Sequence, residues 1–407
     1  MNKFRFAVLC VLFLASHQGF AQLQLPIEPE DARALHLQAT GSVMHDSNVF
    51  RLSSDVEPQA VIGSPDKSDN IYRVGVGGKY ETQVSRQKFL VEANIDDYRY
   101  QNFNNLNNDS YNGRGEWKWQ AGNFWDGTLG IGQRRSLADF AYIQANIKDM
   151  VDQGRAYGSA NYNFHSHLRF TLDADRSDNR HSADSQKIFD STVDNMAFTV
   201  NWVTPAENTV GLQYRTANAS YPNSTIVAAT FLDNAYHENE YSLVANWRAS
   251  GASAFVFRLG HTERTFDQLP SRDFSGTTWR VTYNWQPLGK AGLQLATWRE
   301  IQEFATIGTN YLQSTGFSLA PTWSITPQIM LQAKASYDTD KFLGDPGIVV
   351  VTIPREDKAR TYNLSAIWSP LRQTSVTLAL ESGERTSNQQ FVDYKYQSIS
   401  VTAMRSF

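Results

Sequence analysis

The chain has 407 residues, of which 41% are hydrophobic, and a formal net charge of −4. Its mean hydropathy of −0.45, with no apolar run of about 18 residues after the first few, excludes a bundle of membrane-spanning helices. The acidic balance argues against a nucleic-acid partner, which would favour a basic face.

The first 21 residues have the features of a secretory signal peptide. Lys3 and Arg5 precede an apolar run at 6–15, and cleavage is expected after Ala21. Removing this segment takes away the only cysteine, Cys10, so the mature chain is expected to use neither disulfides nor thiol chemistry. It also moves the net charge to −6, because two of the 37 basic residues and none of the 41 acidic ones are lost.

A short acidic segment with two prolines, 22–33, follows and is predicted to be a periplasmic lead-in to a single domain, 34–407. From Ala34 onward, apolar and polar residues alternate, which is the pattern of a β-strand with one apolar face. Segment 277–285 shows this most clearly, with aromatic and branched residues on one face and Thr, Arg and Asn on the other.

Nine aromatic residues close alternating segments at intervals of 38 to 45 residues. Each of the first eight is followed by a short turn, and the ninth ends the chain. An interval of this length accommodates one hairpin of two long strands, so nine units predict about eighteen strands. Because Trp and Tyr have an apolar body and a polar edge, we expect these residues to form a girdle where hydrocarbon meets headgroups. They are Tyr80, Trp119, Phe164, Trp202, Trp247, Trp285, Trp323, Trp368 and Phe407.

The connections at the other end of the strands are long and polar. Short turns on one side and long loops on the other are typical of outer-membrane barrels, with the short turns periplasmic. The sequence therefore predicts an all-β protein: a transmembrane, antiparallel, up-and-down β-barrel of about eighteen strands with both termini periplasmic, in a bacterial outer membrane. The long connections are expected at 45–69, 136–150, 178–190, 219–235 and 338–358.

Two other folds have a similar rhythm. A β-propeller has blades of about 40–45 residues, but each blade needs four short strands where this pattern shows two long ones; a secreted β-sandwich is the other alternative.

One residue fits the barrel poorly. Pro321 lies on the apolar face of a strand although proline cannot donate to a ladder, so we expect a bulge there or an earlier end to the pairing.

The polar face should line the lumen. It carries ten basic residues and three acidic ones, Glu92, Glu116 and Asp173, so basic groups could attract anionic solutes; alternatively, the charges pair and hold the wall together. Tyr157 and Trp298 are also expected to face inward, where rings can act as sliding surfaces for sugars. The ten basic residues are Arg73, Lys79, Arg114, Lys118, Arg155, Arg169, Arg215, Arg258, Arg280 and Lys334.

Features of an enzyme are missing from the sequence. The seven histidines after the signal peptide are scattered, and His165 and His167 alone make a poor catalytic metal site. No nucleophile elbow, phosphate loop or metalloprotease helix is present. We therefore predict a protein that is not an enzyme and has no metal and no cofactor.

A short element after the first strand, residues 45–51, reads His-Asp-Ser-Asn-Val-Phe-Arg. With the signal peptide, the terminal Phe and the turns, it resembles exopolysaccharide-operon outer-membrane barrels of the EpsL type, grouped with putative β-barrel porin families. The resemblance implies export of an extracellular polysaccharide. The residues that carry it are Asp46, Ser47, Asn48, Phe50 and Arg51, and Asp and Asn there could also cap a turn.

The leading hypothesis is a pore for export of an acidic polysaccharide, guided by a basic polar lumen. The alternatives are a general or sugar-uptake porin and a non-conducting scaffold of a secretion complex. An eighteen-strand barrel is wide enough for a water-filled channel, so loops are expected to narrow it, with 45–69 and 338–358 the best candidates. Expected partners are outer-membrane lipid, the polysaccharide, the barrel-assembly machinery during insertion, and a periplasmic export lipoprotein.

Overall fold

The protein is described from a computed structural model, which covers residues 35–223, 225–227, 230–232, 235–267, 272–306, 309–344 and 353–407. The predicted signal peptide and lead-in lie outside these residues and stay predictions. In the described part, neither of the two α-helices is long and apolar enough to cross a bilayer.

Eighteen long strands form one antiparallel sheet. They are β1 (Leu35–Asp46), β2 (Asp69–Val84), β3 (Gln87–Tyr100), β4 (Asn108–Ala121), β5 (Trp125–Leu137), β6 (Met150–His165), β7 (Leu168–His181), β8 (Ser191–Val203), β9 (Thr209–Ser220), β12 (Tyr236–Ser250), β13 (Ser253–Phe266), β14 (Phe274–Leu288), β15 (Ala291–Thr306), β16 (Thr309–Thr326), β17 (Ile329–Leu343), β18 (Glu356–Leu371), β19 (Thr374–Ser387) and β20 (Tyr394–Ser406).

Four short elements and one small hairpin lie in the loops. The α-helices are α1 (Pro58–Ile62) and α2 (Phe140–Ile143), and the 3-10 helices are Asn104–Leu106 and Lys187–Phe189. The hairpin, β10 (Thr225–Val227) and β11 (Thr230–Leu232), forms a separate two-stranded sheet between β9 and β12.

The sheet closes on itself. Each long strand pairs with the next along the chain, and β1 pairs with both β2 and β20. The sequence prediction of an eighteen-stranded, antiparallel, up-and-down barrel is therefore confirmed. Leu35, at the start of β1, pairs with Tyr80 of β2, and Gln38 of β1 pairs with Ser406 at the end of β20. Both ends of the barrel chain therefore lie at the same rim.

The alternation of the sequence becomes the two faces of the wall, because successive side chains of a strand point to opposite sides. On β2, Val74 and Val76 are 68% and 62% exposed and point outward, whereas Arg73 points into the lumen and binds Asp96 of β3. Apolar side chains dominate the outer face, as expected of a surface that meets lipid, and charged side chains such as Arg176 lie on it toward the loop rim.

The two rims differ as predicted. The rim that carries the chain ends has tight turns, for example at Ser85–Arg86 and at Gly122, whose φ of 63° is a left-handed conformation. We call it the turn rim. The opposite rim, the loop rim, carries the long connections 47–68, 138–149, 182–190, 221–235 and 344–355.

Pro321 does not behave as expected. Strand β16 contains no register shift there and runs on to Thr326. The ladder to β17 instead lacks the two pairs at Ala320 and Pro321 and resumes at Thr322 in the same register, whereas Leu293 of β15 still pairs with Pro321. The missing N–H is thus accommodated by a local gap on one side of the strand.

Candidate functional site

The loop rim is filled from one side by a buried apolar cluster, which we call the mouth cluster. It joins the first loop, 47–68, to the connections 101–107 and 138–149. At its centre Phe50 is fully buried, with ring centroids 4.7 Å from Phe103 and 4.8 Å from Phe140. Its members are Val49, Phe50, Leu52, Ile62, Ile71, Tyr100, Phe103, Leu106 and Phe140. The first loop therefore folds inward, as the sequence predicted for a loop that narrows the lumen.

A second connection, 138–149, reaches across the mouth; we call it the strap. It leaves β5, yet the Tyr142 ring lies 6.5 Å from that of Phe342 on β17 and 5.4 Å below the Arg385 guanidinium of β19. From β17 through β20 and β1 to β5 is eight steps round a ring of eighteen strands, close to a full diameter. The strap, which the sequence predicted only as a long loop, thus spans the mouth of the barrel.

Polar contacts hold the strap in place. The Gln144 side chain donates to the Arg51 carbonyl at 2.6 Å, and Asn146 donates to the Ile62 carbonyl at 3.1 Å. Burial raises the pKa of the Tyr142 hydroxyl, so this ring stays neutral. Asp139 caps helix α2 by accepting from the Ala141 amide at 2.8 Å.

Asp149 ties the end of the strap to the neighbouring loop, 182–190. Its carboxylate lies 2.7 Å from His181 Nδ1 and accepts from the Ala183 amide at 2.9 Å. Burial raises the pKa of Asp149, but the hydrogen bonds from His181, Ala183 and Ser182 outweigh burial and hold the pKa below its usual range. The carboxylate is therefore charged at neutral pH and keeps the two loops together.

One wall of the lumen carries a continuous row of ion pairs, the wall ladder, on β9 and β12–β15. Every glutamate in it lies between two arginines. The ladder follows the order Arg264–Glu238–Arg215–Glu240–Arg258–Glu300–Arg280, with closest N–O distances of 2.7, 2.5, 2.7, 3.3 and 2.8 Å for the first five pairs; Arg280 binds Glu300 through two nitrogens.

The two ends of the ladder differ in exposure. Four arginines against three glutamates leave one excess positive charge. Arg264 at one end is 3% exposed, whereas Arg280 at the other is 35% exposed. The excess charge is therefore presented to the lumen at Arg280.

The opposite wall carries separate, more exposed pairs. Arg73 binds Asp96 at 2.8 Å, Arg114 binds Glu92 at 3.0 Å, and Arg155 lies 3.4 Å from Asp175. The side chains of Arg114 and Arg155 are each 40% exposed. This wall therefore offers both signs of charge to solutes.

Eight of the ten predicted basic residues are ion-paired, which agrees with the alternative that such charges hold the wall. Lys79 and Lys118 bind Glu81 and Glu116 at 3.1 and 3.2 Å. Arg169 donates to the Asn163 side chain at 2.7 Å, and Lys334 has no ion pair with the described residues. The other six form the pairs given above.

The predicted basic excess overlooked several carboxylates of the inner face. Glu238 and Glu240 are 4% and 1% exposed and neutralise the ladder arginines. The rule that directs Trp247 outward also directs these even-numbered neighbours inward, so the signal was present in the sequence. The other overlooked inner-face carboxylates with ion pairs to the predicted basic residues are Glu81, Asp96, Asp175 and Glu300.

The two predicted lumen aromatics do face inward. Tyr157 donates to Glu116 at 2.8 Å and lies over Gly130, where an added Cβ would be 2.2 Å from the ring. Trp298 lies against Gly316 and beneath Arg280, and it is only 8% exposed. Its face is therefore covered, so it cannot serve as a sliding surface for sugars in this conformation.

All nine aromatic residues that close the alternating segments lie near the turn rim and on the outer face. Phe164, Trp202, Trp323 and Phe407 are more than half exposed. That they meet lipid headgroups stays a prediction. The second predicted narrowing loop, 338–358, begins in β17, and its residues 345–352 lie outside the described residues.

No group of three or more His, Cys, Asp or Glu side chains is arranged to hold a metal ion within the described ranges. The His165 and His167 rings lie 5.8 Å apart at the turn rim, and His167 stacks on Trp202. The half-buried His167 therefore has a packing contact with this ring.

Comparison with known proteins agrees with the fold. Residues 256–406 match the family described as Putative beta-barrel porin 2, and no curated protein matches the sequence. The structure of OccK2 (OpdF) from Pseudomonas aeruginosa in complex with glucuronate is 10% identical, with 92% of this chain and 98% of that one covered and a TM-score of 0.51. A BenF-like porin from Pseudomonas fluorescens Pf-5 is 8% identical, with 92% and 99% covered and a TM-score of 0.50. At such identities the likeness concerns the fold.

Proposed function

We propose that this protein is an outer-membrane porin that lets small polar solutes diffuse across the membrane, with a preference for anions. The observation that carries the proposal is a closed eighteen-strand barrel whose charged inner wall is narrowed by an inward-folded loop. Barrels of this size leave an aqueous channel, and the strap crosses the mouth of that channel.

Arg280 supports the preference for anions. The other ladder arginines are between 3% and 16% exposed, so Arg280, at 35%, is where the excess charge of the ladder meets solutes. At a separation of about 6 Å in water, one unit charge changes the energy of a monovalent ion by about 0.7 kcal/mol, or roughly threefold in occupancy. A sugar acid, such as the glucuronate bound by OccK2, is a suitable solute to test.

Export of a polysaccharide is less well supported than diffusion of small solutes. The family match and the similar structures describe porins, and no match points to the EpsL type. The side chains of the element at 45–51, on which that resemblance depended, form contacts within their own turn and with strand β20. Deleting the gene and measuring secreted polymer separates the two functions, because a porin for small solutes should leave secretion intact.

The channel itself is tested in planar lipid bilayers. We expect discrete conductance steps and a chloride-to-potassium permeability ratio above one, which Arg280→Gln should lower about threefold. The matched control is Arg176→Gln, which removes the same charge from a 59% exposed side chain on the outer face and should leave the ratio unchanged. A wild-type protein that does not conduct, and still does not conduct when 138–149 is shortened, would contradict the proposal.

A further inference from the structure

The seam between β1 and β20 differs from every other strand pair of the barrel in how its register can be set. Neighbouring strands elsewhere follow each other along the chain, so the connection limits their register. The partners at the seam, for example Ser42 and Thr402, are 360 residues apart. A slip of two residues would keep every side chain on its own face, so alternation alone does not exclude it.

The element 46–51 lies where this ladder ends. The last pair of the seam is Asp46 with Ser398. Beyond it, the Ser47 amide donates to the Gln397 carbonyl at 3.0 Å, and the Gln397 amide donates to the Ser47 hydroxyl at 2.8 Å. The element thus continues the pairing after the strand has ended, with contacts that only one register allows.

Asn48 is the centre of this arrangement and is 1% exposed. Its side-chain amide donates to the Lys395 carbonyl at 3.0 Å and to the Leu52 carbonyl at 2.8 Å, and its oxygen accepts from the Leu52 amide at 3.0 Å. Asp46 accepts from the Asn48 amide at 2.8 Å. The bonds to Leu52 and Asp46 hold Asn48 in place, and the bond to Lys395 is the one that depends on the register of the seam. A slipped seam would break that bond and leave a buried amide hydrogen without its partner, which is costly.

Arg51 adds a contact to the inner face of β20. Its guanidinium lies 3.6 Å above the centre of the Tyr396 ring and is held by Asp46 at 2.9 Å. Arg51 adopts a φ of 55°, a left-handed conformation that is uncommon for a residue with a side chain. Cation–π attraction of this kind is strongest where water is excluded, and Tyr396 is 9% exposed.

We infer that the element Asp46–Arg51 is the register lock of the barrel seam: it selects one pairing of the first and last strands when the barrel closes. Phe50 of the same element anchors the mouth cluster, so closure in the correct register also positions the strap. This role does not depend on what the barrel conducts.

Paired cysteines test the lock, because the mature sequence contains no cysteine of its own if residues 1–21 are removed. Ser42→Cys with Thr402→Cys reports the native register, since the two hydroxyl oxygens lie 2.9 Å apart. Ser42→Cys with Ser400→Cys, or with Met404→Cys, reports a slip of two residues in either direction. Crosslinking is measured on barrels that have folded in the outer membrane, by gel mobility.

In the otherwise unchanged protein we expect only the native pair to crosslink. Adding Asn48→Ala should raise the slipped crosslink relative to the native one by about fivefold, because one hydrogen bond across the seam, to Lys395, is lost. The matched control is Asn146→Ala, which removes an amide-to-carbonyl bond of similar length from the strap and does not touch β20.

Two results would overturn the inference. The first is a slipped crosslink that is already present when Asn48 is unchanged. The second is that Asn48→Ala gives only the native crosslink while the yield of folded barrel stays the same. If Asn48→Ala yields too little folded barrel, Ser47→Ala decides by the same ratio, because it removes a single hydrogen bond to Gln397. Loss of conductance with an unchanged crosslinking pattern would instead concern the proposed function.

Discussion

Glu240 is the residue whose loss should weaken the inner wall most. Its side chain is 2% exposed and accepts from Arg215 at 2.7 Å and from Arg258 at 3.3 Å. Glu240→Gln keeps the shape but leaves two arginines facing a neutral amide. Removing one partner of a buried ion pair costs about 3–5 kcal/mol; because both arginines retain another glutamate and are about 15% exposed, we expect the loss to be nearer 2–3 kcal/mol.

The free energy of unfolding can be measured by urea titration of barrels in lipid vesicles, with the folded fraction read by gel mobility. The matched control is Glu263→Gln on β13, whose side chain is 56% exposed and contacts His261; it should change stability by less than about 0.5 kcal/mol. Glu240→Gln also raises the excess charge of the wall ladder from one positive charge to two, so the anion selectivity of the channel should increase. Wild-type stability together with unchanged selectivity in Glu240→Gln would show that the ladder neither supports the wall nor sets its charge.

Three further changes test other parts of the structure. Gly316→Ala should cost about 1–3 kcal/mol of unfolding free energy, because its Cβ would lie 2.7 Å from the Trp298 ring and 2.6 Å from a backbone oxygen; Gly251→Ala, which meets no atom within 4 Å, is the control. Tyr142→Ala should raise single-channel conductance by loosening the strap, and an unchanged conductance would show that the strap does not limit the pore. Asp149 has a lowered pKa, so its contribution is present above the ordinary value of about 3.9 and is lost as the pH falls through the lower folded value. Protease cleavage at 182–190 should therefore rise below about pH 4, and Asp149→Asn should show that cleavage already at neutral pH. Equal protection of the unchanged protein and of Asp149→Asn at every pH would refute the role of Asp149 in holding the two loops together.

The strand count was predictable because each hairpin repeats the same local pattern. Alternation has a period of two residues, and an aromatic residue marks the end of every second strand. The same parity places Arg73, Arg114 and Arg280 on the inner face without any knowledge of the fold. Pro321 shows the limit of this reasoning, because a proline predicts disturbance of a ladder but not which neighbour will be affected.

The pairing of charges was not predictable from parity alone. Whether Arg258 meets Glu240 or stands free depends on the relative register of β12 and β13, which includes a shift between Arg248 and Ser250 next to their connecting turn. Trp298 illustrates the same point: its inward direction follows from the sequence, but its burial under Arg280 requires the position of β14.

The sequence by itself determined the closed barrel, its strand number and its two faces, because these follow from short-range alternation and hairpin length. Only the tertiary structure decided how the mouth is narrowed, since the strap meets residues about 200 positions or more away in the chain, Phe342 and Arg385. It also decided that Glu240 and its neighbours offset most of the positive charge of the wall ladder and leave Arg280 as the most exposed arginine of that ladder. Such contacts join strands that no local pattern connects, because they depend on where the closed wall brings distant side chains together.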